Sequence, residues 1–537
     1  MPPSPKIHRA PSYLLPTKIT TMHKQIVLLA AVGLLLIGCK RDELTPDTID
    51  QGPVLVQRPE PVQQPVGDPL SQEDLDRAVV GMLEQRNDFR WEWVDLRTLW
   101  SALQYNDHAL AIGYAPANVG NIDDRMHEVN VREPEWRRVH DALIERILDL
   151  LNRSGGAPVK LADILVEDDP VLPILTLRIT DKEVLTALAN LENVRYLEPL
   201  DYWPAAGADD AQRSTSGCGA STTAVQAADL TTITPNARLP WNFNLHNIPG
   251  AWGSSQGQGV TVGVIDAGLS SAQPLLGSGL NNGDSNVGRT LTTGWTWGSS
   301  AYSSCTHGNS MAGQAVGPRN DQGATTGVAY KSSLHFVRGC EDVVLNTSSE
   351  RTGVKNALIA LGNNPAVRVI SMSIGTPFSS SVLTDGVNYA HGRGKMILAA
   401  AGTSFSWTSW WGVVYPAALS KCVAVTGVKE NGSKCSSCHD GSQVDLTIVM
   451  ERNSSSDRNS LSLPASGTAP TYIGGSSSAT ATAAGIAAVV WSANPGKTRE
   501  QVLQCLTSTA QFAASPSGSK GFGNINASAA VNCALAN

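Results

Sequence analysis

Hydrophobic positions along this chain follow two periods, and each predicts a different kind of element. Between Gly259 and Ile265 the run Gly-Val-Thr-Val-Gly-Val-Ile is apolar and β-branched. It predicts a parallel strand buried on both faces and ending at Asp266. In open α/β sheets, ligands and catalysis gather at that C-terminal edge. Ala479 to Trp491 is almost entirely small or apolar, which predicts a buried helix opened by Ser477. A second helix is expected to start at His307, where Gly308, Ala312 and Gly313 allow close approach to the sheet. Nearer the N-terminus, Trp136, Val139, Leu143, Ile147, Leu150 and Leu151 recur at helical spacing, and Leu175 to Ile179 alternates as a strand. Asp181 to Leu191 then reads as another helix and Val194 to Leu197 as a closing strand. The pattern is that of a small α+β domain ahead of a larger α/β one.

Three polar residues stand at informative places in the larger pattern. Asp266 ends a buried strand, while His307 and Ser477 each open a helix, so a carboxylate, an imidazole and a hydroxyl occur in that order. A serine hydroxyl is a poor nucleophile at neutral pH; it needs a base to take its proton and a third group to hold that base in one tautomer. Each residue alone has a bland account, as a turn cap or as helix packing. Their shared placement at strand and helix ends favours chemistry, and a backbone N–H at the start of the Ser477 helix would stabilise a developing oxyanion.

From about Leu239 to Ala529 the chain resembles the subtilisin-like serine peptidases, or subtilases. Asp266, His307 and Ser477 fall on that family's catalytic positions, in its chain order, and Gly485 stands where the serine helix has its glycine. Ser371-Met372-Ser373-Ile374-Gly375 is similar to the substrate-binding strand. Ala399-Ala400-Ala401-Gly402 is similar to the wall of the pocket for the residue preceding the scissile bond, and Tyr415-Pro416-Ala417 also recurs. The resemblance implies a parallel sheet with helices on both faces, and substrate binding by Ser373, Ile374, Gly375, Ala401 and Gly402. It also implies an acyl-enzyme mechanism that needs no cofactor. Structural calcium is common in the family, but no aspartate-rich loop locates a site here.

Three positions depart from the family pattern. Thr403 replaces the usual asparagine whose amide completes the oxyanion hole with the Ser477 N–H, Ala267 replaces a hydroxyl residue, and Ala481 replaces a proline. Only Thr403 touches chemistry, with a hydroxyl that reaches less far than an amide. It motivates an alternative reading, a non-catalytic surface lipoprotein using the fold as a binding module; the intact Asp, His and Ser set argues against that.

Composition fits a globular core, with 42% hydrophobic and 16% charged residues, and a net charge of −7 argues against nucleic-acid binding. Ile26 to Ile37 is apolar but too short to span a bilayer, follows His23 and Lys24, and ends in Leu-Ile-Gly-Cys at Cys39. That ending resembles a bacterial lipobox. We therefore read 1–38 as a lipoprotein signal peptide, Cys39 as the lipidation site, and 39–70, with its five prolines after residue 50, as an extended tether. Residues 71–203, whose end from Leu175 to Tyr202 resembles a subtilase propeptide of ferredoxin-like fold, would inhibit the enzyme; an unrelated accessory domain is the alternative. The Ala-, Thr-, Ser- and Gly-rich segment 204–236 would be cut during maturation, and 237–537 is the peptidase domain. Expected partners are polypeptide substrates, the chain's own propeptide and, through the lipid, a membrane of the bacterial envelope.

The remaining eight cysteines suit disulfides in an oxidising compartment. Nearness in sequence suggests Cys505 with Cys533 and Cys305 with Cys340. Cys435-Ser-Ser-Cys438-His439 matches the c-type haem spacing, but its place in a loop favours a disulfide-stapled turn. Trp407, Trp410 and Trp411 follow the pocket wall and suit a narrowed subsite or loop packing equally.

Overall fold

The structure is a computed structural model that describes residues 54–86, 88–153, 157–204, 217–219, 221–403 and 412–536. Cys39, the apolar N-terminal run, most of the expected cleavage segment and Trp407, Trp410 and Trp411 lie outside them. Among the described residues no helix is long and apolar enough to cross a membrane.

The first sheet is small and antiparallel. Its strands β1 (Ala109–Tyr114), β2 (Leu165–Asp168), β3 (Ile174–Arg178) and β4 (Val194–Pro199) lie in the order β2-β3-β1-β4. With the helices Pro134–Leu151 and Lys182–Ala189 as crossovers, this is the βαββαβ connectivity of a ferredoxin-like fold. The apolar positions read as helical, from Trp136 to Leu150, are those buried against the sheet. Part of the proline-rich stretch is extended as expected but not free: Val56 N–H donates to Asn193 Oδ1 at 2.8 Å and Arg58 N–H to the Asn190 carbonyl at 2.7 Å.

A short pair, β5 (Leu230–Ile233) and β6 (Ala237–Pro240), leads into the main sheet. That sheet contains β7 (Thr261–Asp266), β8 (Leu291–Trp295), β9 (Ser333–Arg338), β10 (Val367–Met372), β11 (Met396–Ala400), β12 (Cys422–Lys429), β13 (Leu446–Arg452), β14 (Ser455–Ser462) and β15 (Thr471–Ile473). Their order is β15-β14-β13-β12-β11-β10-β7-β9-β8; β7 to β13 are parallel to their neighbours, and β14 and β15 add an antiparallel edge. Strand alternation assigns the two faces. Val262, Val264, Met396 and Leu398 pack with the helices His307–Val316 and Gly475–Ala493, whereas Ile265, Ile397 and Ala399 pack beneath Ser348–Asn363 and Ser381–Gly392. Gly475–Ala493 carries small or apolar residues on every side because most of it is buried.

The small sheet rests on the outer surface of that second helix pair. Ile359, Val382 and Tyr389 belong to the apolar cluster of the small domain. Glu198 accepts N–H bonds from Ser381 at 2.6 Å and Val382 at 3.2 Å, and Asp201 accepts from Ser348 N–H at 2.5 Å and its hydroxyl at 2.7 Å. Two carboxylates thus sit at two helix N-termini, where unpaired N–H groups and the helix dipole favour negative charge. Arg195 grips Asp385 with two bonds of 2.8 Å. Lys355, fully buried, is met by Asp169 and Glu167 of the small domain.

Candidate active site

Strand β7 delivers Asp266 to its C-terminal end with no side-chain exposure, and His307, 3% exposed, begins the helix His307–Val316 beside it. The two side chains meet at 2.8 Å and 3.1 Å, His307 Nδ1 to the two Asp266 oxygens. Asp266 Oδ1 also accepts the Ala267 N–H at 2.8 Å. An ionised carboxylate only accepts, so Nδ1 carries the proton and Nε2 is left as a base. The approach needs glycine at 308: a Cβ there would stand 2.5 Å from the Gly268 carbonyl oxygen and 3.1 Å from Asp266 Cβ.

Ser477 does not open its helix, as the sequence suggests, but lies inside the first turn of Gly475–Ala493, and its N–H is among those the helix leaves free. Its hydroxyl donates to the Ser373 carbonyl at 3.3 Å, and the Ser373 hydroxyl donates to the Ser477 carbonyl at 2.9 Å. His307, Ser477, Ser373, Ile374, Gly375, Gly402 and Thr403 all line one cleft of about 290 Å³. Among the described hydrogen bonds none joins Ser477 Oγ to the imidazole; the two side chains are brought together as lining of the same cleft. Thr403 Oγ1 accepts the Ser476 N–H at 3.3 Å and lies 3.1 Å from Ser476 Oγ, which holds it at the helix start.

Two expectations about substrate-binding residues change. Ala401 does not line the cleft; its neighbours Ala400 and Gly402 do, because alternation turns Ala401 into the core. Gly375 lines it, but its N–H donates to the Val343 carbonyl and its carbonyl accepts from Leu345 N–H, both at 2.9 Å. Its pairing groups are already engaged.

Cysteine pairing differs as well. Cys505 joins Cys533 and Cys435 joins Cys438, whereas Cys305 joins Cys218, and Cys340 and Cys422 are buried free thiols. Cys340 is nearer to Cys305 in sequence, but Cys218 is held beside the start of the His307 helix. Its carbonyl accepts from Thr306 N–H at 3.2 Å and from the Thr306 hydroxyl at 2.9 Å. With Cys435 and Cys438 bonded to each other, neither thiol is left for haem attachment. Burial pushes the Cys340 and Cys422 thiols up, so both stay uncharged.

Gly217, Gly219, Trp203, Ser476 and His439 also line the cleft, and sequence reasoning assigned none of them to it. The serine run 476–478, the cysteine at 218 and the Cys435–His439 motif were the local signals for this. Among the described residues no group of three His, Cys, Asp or Glu side chains is gathered for a metal ion, so no residue is assigned to calcium.

The profile of the subtilase family matches residues 257–524. A subtilisin of Bacillus pumilus is 34% identical over 276 residues, covering 51% of this chain and 92% of that protein. The thermostable alkaline protease of Halalkalibacterium halodurans is 29% identical over 287 residues, covering 53% and 72%. The crystal structure of MycP1 from Mycobacterium smegmatis matches with a TM-score of 0.45 at 21% identity, covering 56% of this chain and 88% of that one.

Proposed function

The chain belongs to the subtilase family and is a serine endopeptidase, and on that premise we propose that Asp266, His307 and Ser477 are its catalytic triad. The observation that carries this is the buried 2.8 Å contact of Asp266 with Nδ1 of His307, which itself lines the cleft that holds Ser477. Ser477 Oγ attacks the peptide carbonyl while His307 Nε2 takes its proton; Asp266 holds the imidazole in that tautomer and stabilises the imidazolium. The oxyanion receives the Ser477 N–H and the Thr403 hydroxyl. His307 returns the proton to the leaving amine, and water then releases the acyl group.

Residues 71–203 act as an inhibitory propeptide, supported by the carboxylates capping two helices of the large domain and by Trp203, which reaches the cleft. The segment 204–236 is cut during maturation. Export and lipidation at Cys39 place the enzyme in the bacterial envelope, and the chemistry requires no cofactor.

Ser477→Ala tests the triad. It should abolish peptide cleavage and leave the small domain attached. Cleavage that persists in that variant would sink the assignment of Ser477.

A further inference from the structure

A disulfide beside the base holds a second segment in the cleft. Cys218 is joined to Cys305, just ahead of His307, and the Cys218 carbonyl accepts from Thr306 N–H at 3.2 Å and from the Thr306 hydroxyl at 2.9 Å. These bonds keep Gly217 and Gly219 in the lining of the cleft that holds His307 and Ser477. Gly217 stands between the imidazole and Val343: a Cβ on it would lie 3.3 Å from His307 Cδ2, and 2.9 Å and 3.0 Å from the two Val343 methyl carbons. Cδ2 is bonded to Nε2 in the ring, so this arm crowds the edge of the imidazole that carries the working nitrogen. Beyond it, the Val343 carbonyl and the Leu345 N–H engage the Gly375 backbone, both at 2.9 Å. A peptide lying along Ser373, Ile374 and Gly375 with its carbonyl at Ser477 needs both the space between His307 and Val343 and the Gly375 pairing groups. The chain's own segments take up both.

We propose that the Cys218–Cys305 disulfide is a redox latch on an autoinhibitory arm: while intact it keeps residues 217–219 against His307, in competition with peptide, even after the small domain has been cut away, and its reduction by a dithiol opens the cleft. This rests on the peptidase reading and on a cut before Cys218. Such a cut removes one tether of the arm and leaves the other, because the bond to Cys305 is covalent. Cys218 is half-buried and Cys305 buried, so a thiolate of the dithiol attacks Cys218 Sγ and Cys305 departs as a thiolate. The second thiol of the reagent then displaces Cys218; the reagent ends as a disulfide, and the protein has gained two electrons and two protons. Cys305 is the better leaving group. It precedes the helix His307–Val316, whose N-terminus favours negative charge, whereas the Asp342 carboxylate lies 3.6 Å from Cys218 Sγ. Without the disulfide the arm keeps its two hydrogen bonds to Thr306, a hold that a bound peptide can replace.

The test uses matured enzyme, separated from its small domain without reductant, and a soluble peptide substrate. Dithiothreitol should lower KM roughly 10-fold with kcat nearly unchanged, the factor expected when the latched arm leaves the cleft open about a tenth of the time. A disulfide that merely braces the fold would give the opposite sign, a loss of activity on reduction. Cys435–Cys438 and Cys505–Cys533 are also reducible, so the double variant Cys218→Ser/Cys305→Ser, which keeps both, should show the low KM from the start and no response to dithiothreitol. The wild-type measurement needs no variant, so a misfolded double variant would not protect the proposal. A KM that does not fall in reduced wild type, a response that persists in the double variant, or a small domain that leaves only on reduction overturns the latch and leaves the peptidase reading standing. Cleavage that survives Ser477→Ala overturns both.

Discussion

The Asp266–His307 side of the cleft and the Ser477–Thr403 side reach the same cavity by different means. On the first, a carboxylate and an imidazole are buried, meet at 2.8 Å and 3.1 Å, and are held by a strand end and a helix start that only glycine at 308 lets approach. On the second, the groups are hydroxyls: Ser477 points at the Ser373 carbonyl, and Thr403 shares a short network with Ser476. A buried carboxylate hydrogen-bonded to an imidazole keeps one geometry, while a hydroxyl turns about a single bond at little cost. The imidazole is therefore held in place by its carboxylate, whereas the two hydroxyls are free to turn.

Breaking the fixed side should have the larger effect. Asp266→Asn keeps the shape but presents an amide that stabilises the wrong imidazole tautomer, so kcat should fall by roughly 10⁴ with little change in KM. A loss under tenfold in folded protein would show that Asp266 does not orient the base. On the hydroxyl side, removing one oxyanion donor from a subtilisin costs roughly 10²–10³ in kcat. Thr403→Val should lose a sizeable part of that factor with KM nearly unchanged, because the bond matters mainly in the transition state. Equal kcat for the two proteins would assign the donor elsewhere.

The same division separates what the sequence carried from what it did not. The β7 strand and the Ser477 helix were legible because burial writes a period into the residues: the run expected at Gly259–Ile265 is observed at Thr261–Asp266, and the helix expected over Ala479–Trp491 spans Gly475–Ala493. The small domain was half legible. Its helix Pro134–Leu151 and strands β3 and β4 have strong periods, but β1, Ala-Leu-Ala-Ile-Gly-Tyr, is buried throughout and shows no alternation. Pairings across space left no local mark. Nothing near Gly375 says that Val343 and Leu345 will occupy its backbone, and nothing near Cys305 says that its partner comes from 87 residues upstream.

That disulfide ties the fixed side of the cleft to the segment expected to be cut, so the position of the cut becomes visible on a gel. A cut before Cys218 frees the small domain outright. A cut between Cys218 and Asn236 leaves it attached to Cys305 until the bond is reduced. Trp203 and Gly217 both line the cleft holding Ser477, which favours the first outcome. Matured wild type should therefore release the small domain on a non-reducing gel, and release that requires reductant would place the cut after Cys218.

The smallest expected effect tests whether docking of the small domain shares the fixed character of the Asp266–His307 pair. Glu198 is buried at the start of Ser381–Gly392, and two influences oppose each other there. Burial raises its carboxyl above the ordinary value and is the larger; Arg351, the Ser380 hydroxyl and the N–H groups of Val382 and Ser381 pull it back only in part. Freed of that burial, the carboxyl would return toward its ordinary value. Docking therefore takes up protons between the ordinary and the raised value. The contribution of this group is fully present below the ordinary value and is lost as pH rises through the raised one. A fragment spanning 54–204, added to matured enzyme, should inhibit more weakly as pH climbs just above 4.5. The change is limited to what a single linked carboxyl can contribute. Glu198→Gln keeps an acceptor oxygen but cannot titrate, so its inhibition constant should be flatter over the same window. Identical slopes for the two fragments would show that Glu198 holds its helix without exchanging a proton, and that the pH response of docking comes from another group.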